Sequence, residues 1–206
     1  MPEGVILLAA AKTRTLPEVQ AAYEGGIRYF GHNYVQEAQD MIEICPFEVK
    51  WHLIGHLQRN KAKDAAVLFD MVETLDSIRL AKELENRCAQ MEKTMLVLIE
   101  INSGKEESKA GVLPGKVEEL AEFVSSLEHI RLKGLMTMGP FTGDPEESRP
   151  YFVKTREIFE RLKDSGLPNV EMRYLSMGMS NSYRVAIEEG ANIVRLGTEI
   201  FGPRQH

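Results

Sequence analysis

A lysine stands at the end of an unbroken apolar run near the start of this sequence. Residues 5–11 (VILLAAA) lead directly into Lys12 and Thr13. A short, continuous apolar run reads as a buried strand. An amine fixed at its end would lie beside apolar walls, where desolvation disfavours the ammonium form and frees a nucleophile for Schiff-base chemistry. The competing reading is a lysine that simply ends the strand at the surface, and position alone favours it.

Three further segments carry candidate chemistry. In Leu175-Ser176-Met177-Gly178-Met179-Ser180-Asn181-Ser182, a strand runs into a Gly- and Ser-rich turn that opens a helix. Backbone N–H groups and hydroxyls in such a turn can hold a phosphate, or Ser and Asn can be ordinary caps. Val194-Arg195-Leu196-Gly197-Thr198-Glu199 is a second strand ending in a Gly-Thr turn. Arg195 could point inward toward the same ligand, or form a structural ion pair with Glu199. In Gly31-His32-Asn33-Tyr34, Asn33 is either a plain N-cap or a polar contact at a cleft. His52 and His56 lie four apart, but on a strand followed by a turn and without the HExxH glutamate, so zinc is disfavoured. Ser103-Gly104-Lys105 lacks the upstream glycine spacing of a P-loop and reads as a solvated loop.

The elements that must position these residues alternate regularly. Strands are expected at 5–11, 28–30, 49–54, 71–75, 94–101, 130–138, 172–177 and 193–196. Helices are expected at 16–24, 33–44, 59–68, 77–91, 115–127, 146–164 and 182–189. Alternation of this kind implies a parallel sheet. Eight strands over 206 residues give a unit of about 26 residues, close to that of a (β/α)8 barrel. An open doubly wound sheet is the alternative, but no GxGxxG follows the first strand. The loops at 102–115 and 139–150 follow strands, and so would lie on the face where barrels keep their sites. The turns after strands seven and eight are where barrels often bind phosphate, so the two Gly/Ser/Thr turns support each other. GLM at 134–136 reads as barrel packing. Too few residues follow strand eight for an eighth helix, leaving an expected uncovered groove between strands eight and one that would favour a partner contact.

Composition excludes several classes. The chain has 43% apolar and 27% charged residues, ordinary for a soluble globular domain. Its 25 basic and 31 acidic residues give a net charge of −6, which argues against non-specific nucleic-acid or anionic-lipid partners. Cys45 and Cys88 alone exclude a disulfide framework or a Cys-based zinc site. The longest early apolar run is far short of the ~20 residues a spanning helix needs. Met1-Pro2-Glu3-Gly4 lacks the basic lead of a secretory signal, so the expected location is cytoplasmic.

Taken together, several segments resemble one family. They are Ala11-Lys12-Thr13, FGHNYVQEA (30–38), WHLIGHLQRNK (51–61), KAG (109–111), GLM (134–136), LSMGMS (175–180) and VRLGTEIFGPR (194–204). In this order they resemble the pyridoxal phosphate homeostasis protein family, whose members are single-domain (β/α)8 barrels similar to the barrel domain of alanine racemases. The resemblance runs from about residue 5 to 204 and implies one domain over 1–206. It implies pyridoxal 5′-phosphate as cofactor, with Lys12 as its Schiff-base lysine. Ser180, Gly197, Thr198 and the Met179 backbone would hold the phosphate. Arg195 would face the pyridine nitrogen and Asn33 would lie near the ring. His32 stands where the family usually has glutamate, and the extra helix that many relatives carry before the first strand is missing here.

The function so implied is vitamin B6 cofactor homeostasis: reversible holding and delivery of the cofactor without catalytic turnover. The implied partners are the cofactor and pyridoxal-phosphate-dependent apo-enzymes, with the chain a monomer or homodimer. An amino-acid racemase or other weak enzyme on the same cofactor is the alternative, with His56 or Tyr34 as candidate proton donors. A cofactor-free barrel binding another phosphorylated metabolite is the third reading.

Overall fold

The computed structural model describes residues 2–104, 110–140 and 143–203. Lys105 of the expected solvated loop, Lys109 of the KAG segment and Arg204 lie outside the described residues. Eight parallel strands close in sequence order into a barrel: β1 (Ile6–Ala10), β2 (Tyr29–His32), β3 (Lys50–Leu53), β4 (Met71–Leu75), β5 (Met95–Ile101), β6 (Ile130–Thr137), β7 (Val170–Ser176) and β8 (Ile193–Leu196). The ring closes by pairing β1 with β8, in the register Leu8 opposite Arg195 and Ala9 opposite Leu196. Helices follow the strands: α1 (Leu16–Glu24), α2 (Val35–Ile44), α3 (Ala62–Leu68), α4 (Ile78–Gln90), α5 (Val117–Ser125), α6 (Arg149–Lys163), α7 (Tyr183–Glu188) and α8 (Thr198–Phe201). The barrel expectation holds.

Local sequence explains these elements. The Thr15–Glu18 capping box and Pro17 start α1. The Ser77 hydroxyl accepts from the Leu80 N–H to start α4, whose Leu80, Ala81, Leu84 and Cys88 form one buried stripe. The strands alternate. Ala9 and Ala11 pack outward into the large core between sheet and helices, while Leu8 packs inward with Ile54 and Ile193. Met71, Leu98 and Met136 form a second cluster in the lumen. The lumen is therefore apolar on its lower side and, as described below, polar toward its mouth.

Three short 3-10 turns, Arg59–Lys61, Pro114–Lys116 and Pro145–Ser148, occupy what the sequence suggested were the starts of helices. Two expectations are corrected. An eighth helix exists: α8 is a four-residue turn of helix after β8. Arg14 holds it, donating to the carbonyls of Phe201 (3.4 Å) and Gly202 (3.0 Å) and lying over the Phe201 ring. Ile200 and Phe201 pack against the core, so the groove between β8 and β1 has its own cover. Ser103 is likewise not in a solvated loop: it is buried, and its hydroxyl meets that of Thr137 at 2.8 Å. Among the described residues, no helix is long and apolar enough to cross a membrane.

Candidate functional site

A cleft of about 1160 Å³ opens at the C-terminal mouth of the barrel. All seven residues singled out from the sequence line it: Lys12, Asn33, Met179, Ser180, Arg195, Gly197 and Thr198. They come from the ends of β1, β2, β7 and β8, far apart in sequence and joined only by closure of the barrel.

Lys12 lies two residues beyond β1 and is half-buried. The turn after it is fixed from outside, because Thr13 has a positive φ of 60° and its N–H donates to the Glu37 carboxylate. Among the described residues, no hydrogen bond or ion pair takes up the Lys12 amine. Asn33 follows β2, and the β3 loop presses against it. A Cβ on Gly55 would fall 2.3 Å from the Asn33 carbonyl oxygen, so this contact needs glycine.

The β7 and β8 turns form one cup. The Gly197 N–H donates to the Ser180 hydroxyl oxygen (3.3 Å), tying the two loops together. The Met179 N–H donates to the Ser182 hydroxyl oxygen at 3.3 Å, and the Ser182 N–H returns to the Met179 carbonyl at 2.9 Å. Gly178 makes this turn possible. Its φ is +87°, and a Cβ there would meet the Ala186 Cβ at 2.6 Å. At the start of α8 the first N–H groups have no acceptor within the helix. The cup thus offers hydroxyls and backbone donors, the chemistry of an anion site.

Arg195 forms the floor, with an exposure of only 4%. Glu199, its partner in the structural alternative, is not the one the fold supplies. The guanidinium donates to the Ser176 hydroxyl oxygen (2.6 Å) and to the Thr137 carbonyl (2.8 Å). Ser176 in turn meets Glu73 Oε2 at 2.6 Å, and Glu73 Oε1 meets His52 Nδ1 at 2.7 Å. Strands β4 and β7 are not neighbours, so the Glu73–Ser176 bond crosses the lumen. Burial pushes the Arg195 pKa down, opposed by the negative charges of Glu73 and Glu100. Burial also works to raise the pKa of Glu73, but the His52 bond and charge, Arg195 and Ser176 outweigh it and hold the carboxyl below its usual range.

Sequence reasoning did not single out Glu73 or Glu100 for a role, and took Ser176 only as part of the turn segment at 175–182. The available signal was an acidic or hydroxyl residue inside an otherwise apolar strand. The two histidines part company: His52 lies in the lumen on Glu73, while His56 lines the cleft and pairs with Asp76 at 3.2 Å. His32 faces the layer between sheet and helices beside Trp51, and both its ring nitrogens are buried without a partner among the described residues. Burial lowers its pKa to about 4, so the ring is neutral.

The family model described as alanine racemase, N-terminal domain, matches residues 8–205. The pyridoxal phosphate homeostasis protein of Aquifex aeolicus is 41% identical over 201 residues, covering 97% of this chain and 87% of that protein. The chain belongs to the pyridoxal phosphate homeostasis protein family. PipY of Synechococcus elongatus, solved with PLP bound, is 30% identical with a TM-score of 0.87, over 98% of this chain and 94% of that one. An alanine racemase of Clostridium difficile shares the fold, with a TM-score of 0.81 at 14% identity, over 100% of this chain and 57% of that one. Family membership confirms the resemblance read from the segments around Lys12, Ser180 and Gly197.

Proposed function

We propose that this protein holds pyridoxal 5′-phosphate reversibly on Lys12 and serves intracellular cofactor homeostasis as a single barrel domain. The observation that carries this reading is one cleft containing an uncommitted lysine amine, a hydroxyl and backbone N–H cup, and a buried guanidinium. When bound, the cofactor supplies an aldehyde that condenses with a primary amine. PipY, a relative over nearly the whole chain, was solved with this cofactor, which supports the same ligand here.

Each side chain then has a task. Lys12 provides the amine and is fixed by the end of β1. Ser180, Gly197, Thr198 and the Met179 backbone take the phosphate, which would replace the long 3.3 Å bonds that the Met179 and Gly197 N–H groups make to Ser182 and Ser180. Asn33 contacts the ring from the β2 side. Arg195 faces the pyridine nitrogen, and because a guanidinium stays protonated it opposes a second proton there. A ring so held is a weaker electron sink, which suits holding more than carbanion chemistry. The recipients of the cofactor are pyridoxal-phosphate-dependent apo-enzymes, the location is cytoplasmic, and the protein acts as a monomer or homodimer.

The test is an equilibrium titration of purified protein with pyridoxal 5′-phosphate, followed by visible absorption. The expected result is a saturable band with one site per chain, absent in Lys12→Ala. A band that persists unchanged in Lys12→Ala, or no band in the wild type, would overturn the reading.

A further inference from the structure

The lumen of the barrel contains a line of polar groups that no apolar core requires: His52, Glu73, Ser176, Arg195 and the Thr137 carbonyl. Glu73 and Ser176 are wholly buried, and Arg195 and His52 nearly so. Buried charges are costly unless paired and hydrogen-bonded. A line of this kind therefore needs either a structural or a functional reason.

Its donors and acceptors run in one direction. A guanidinium has only donors, so Arg195 must give a proton to the Ser176 oxygen at 2.6 Å. The single Ser176 hydrogen is then free to go only toward Glu73 Oε2, also at 2.6 Å. Glu73 therefore accepts at Oε2, and with its pKa held below the usual carboxyl range by His52, Arg195 and Ser176 it is ionised near neutral pH. Its other oxygen accepts from His52, which fixes the hydrogen on Nδ1 of that ring at 2.7 Å. On the far side, the Thr137 carbonyl accepts from the second terminal nitrogen of Arg195. The guanidinium plane is thus held from two sides, once by backbone and once by a hydroxyl whose orientation Glu73 dictates.

We propose that Glu73 is a positioning residue for the cofactor site: acting through the Ser176 hydroxyl, it fixes the Arg195 guanidinium at the cleft floor and balances its charge. This rests on the reading above, in which Arg195 faces the cofactor ring. Glu73 does not line the cleft and touches no ligand. Its effect reaches the cleft through two hydrogen bonds and one charge.

Two variants separate these effects. Glu73→Gln removes the charge and keeps the shape. It leaves Arg195 facing only Glu100, a buried carboxyl whose pKa is raised to about 7, and so disfavours any further positive charge on the bound cofactor. Ser176→Ala keeps the charge and removes the hydroxyl, loosening the guanidinium. Each is titrated with pyridoxal 5′-phosphate, and the visible band is then followed against pH. Inorganic phosphate affinity, read by competition, serves as the control for the cup.

The expected result is cofactor binding weakened about tenfold in both variants, the scale of a hydrogen bond to a charged group. The pH midpoint of the band falls by about one unit in Glu73→Gln and by less in Ser176→Ala. The double variant is no worse than the worse single one, because both act along one line. Phosphate affinity stays within about twofold, because the side-chain bonds of this line end at Arg195, which meets the cup only through its backbone N–H on the Gly178 carbonyl (3.1 Å). A purely structural role would lower the melting temperature and leave the band midpoint unmoved. That outcome, in folded variants of a wild type that does form the band, would overturn this inference alone. A wild type without a band would overturn the parent reading and this inference with it. Where Glu73→Gln does not fold, Ser176→Ala decides: unchanged binding and an unchanged midpoint would contradict the proposal.

Discussion

Glu73 on β4 and Glu100 on β5 stand on neighbouring strands, both inside the barrel and both cut off from water. Burial pushes each toward neutrality. Glu73 nevertheless stays ionised, because His52, Ser176 and Arg195 supply bonds and charge. Glu100 has an oxygen, Oε2, without a partner among the described residues. Burial and the nearby Asp76 charge raise its pKa to about 7, with Arg195 only partly offsetting them. Hydrogen-bond partners, more than depth, decide which carboxylate carries charge. The region from β3 through β4 to β7 and β8 is thus built to keep one ion pair fixed, while the β5 corner can gain or lose a proton.

The sharpest way to break this comparison is to delete the fixed carboxylate. Glu73→Ala strands Arg195 and leaves His52 without its acceptor. The expected loss is about 3–5 kcal/mol, the scale for removing one partner of a buried pair, measured by urea denaturation at pH 7. A loss below about 1 kcal/mol would show that the line is not cohesive.

The next two tests are similar in size and opposite in sign. The unfolded chain releases the Glu100 proton near pH 4.5, the folded protein only near 7. Between those values the folded state binds more protons, so stability falls as pH rises, by about 3 kcal/mol in all. Glu100→Gln should remove that slope, matching wild type near pH 4.5 and exceeding it by about this amount at pH 8. For His32 the unfolded ring takes up a proton below pH 6.5, the folded ring only near 4. Stability should then fall as pH drops from 6.5 to 4, by about 3 kcal/mol. His32→Phe should flatten that acid limb. Denaturation midpoints across pH 4–8 check both.

The smallest expected effect sharpens the comparison further. The Thr137 hydroxyl donates to the Ile101 carbonyl (3.0 Å) and meets Ser103, but Arg195 uses only the Thr137 backbone carbonyl. Thr137→Val should therefore cost about 1 kcal/mol of stability while cofactor affinity remains unchanged. A large loss of affinity would show that the side chain, too, orients the guanidinium.

What was legible in the sequence follows from locality. Helix 16–24 and the strands 71–75 and 193–196 match their expected bounds, since Pro17 and compact apolar runs are local signals. Lys12 and the two turns at Ser180 and Gly197 were legible because each joins a strand end to a recognisable turn. α8 was missed because four residues are too few to show a helical period. The partners of Arg195 were not legible for a similar reason. Glu199 is near in sequence but exposed on α8, whereas the line to Glu73 depends on Ser176, which is 103 residues away from it and on a strand across the lumen. No local pattern encodes a bond that exists only once the barrel closes.

The central claim is that Lys12 is the covalent anchor for pyridoxal 5′-phosphate. The most direct measurement is borohydride reduction of the protein saturated with the cofactor, followed by peptide mass mapping. The account predicts one dominant adduct, on Lys12. An adduct spread over surface lysines with Lys12 unmodified would contradict it.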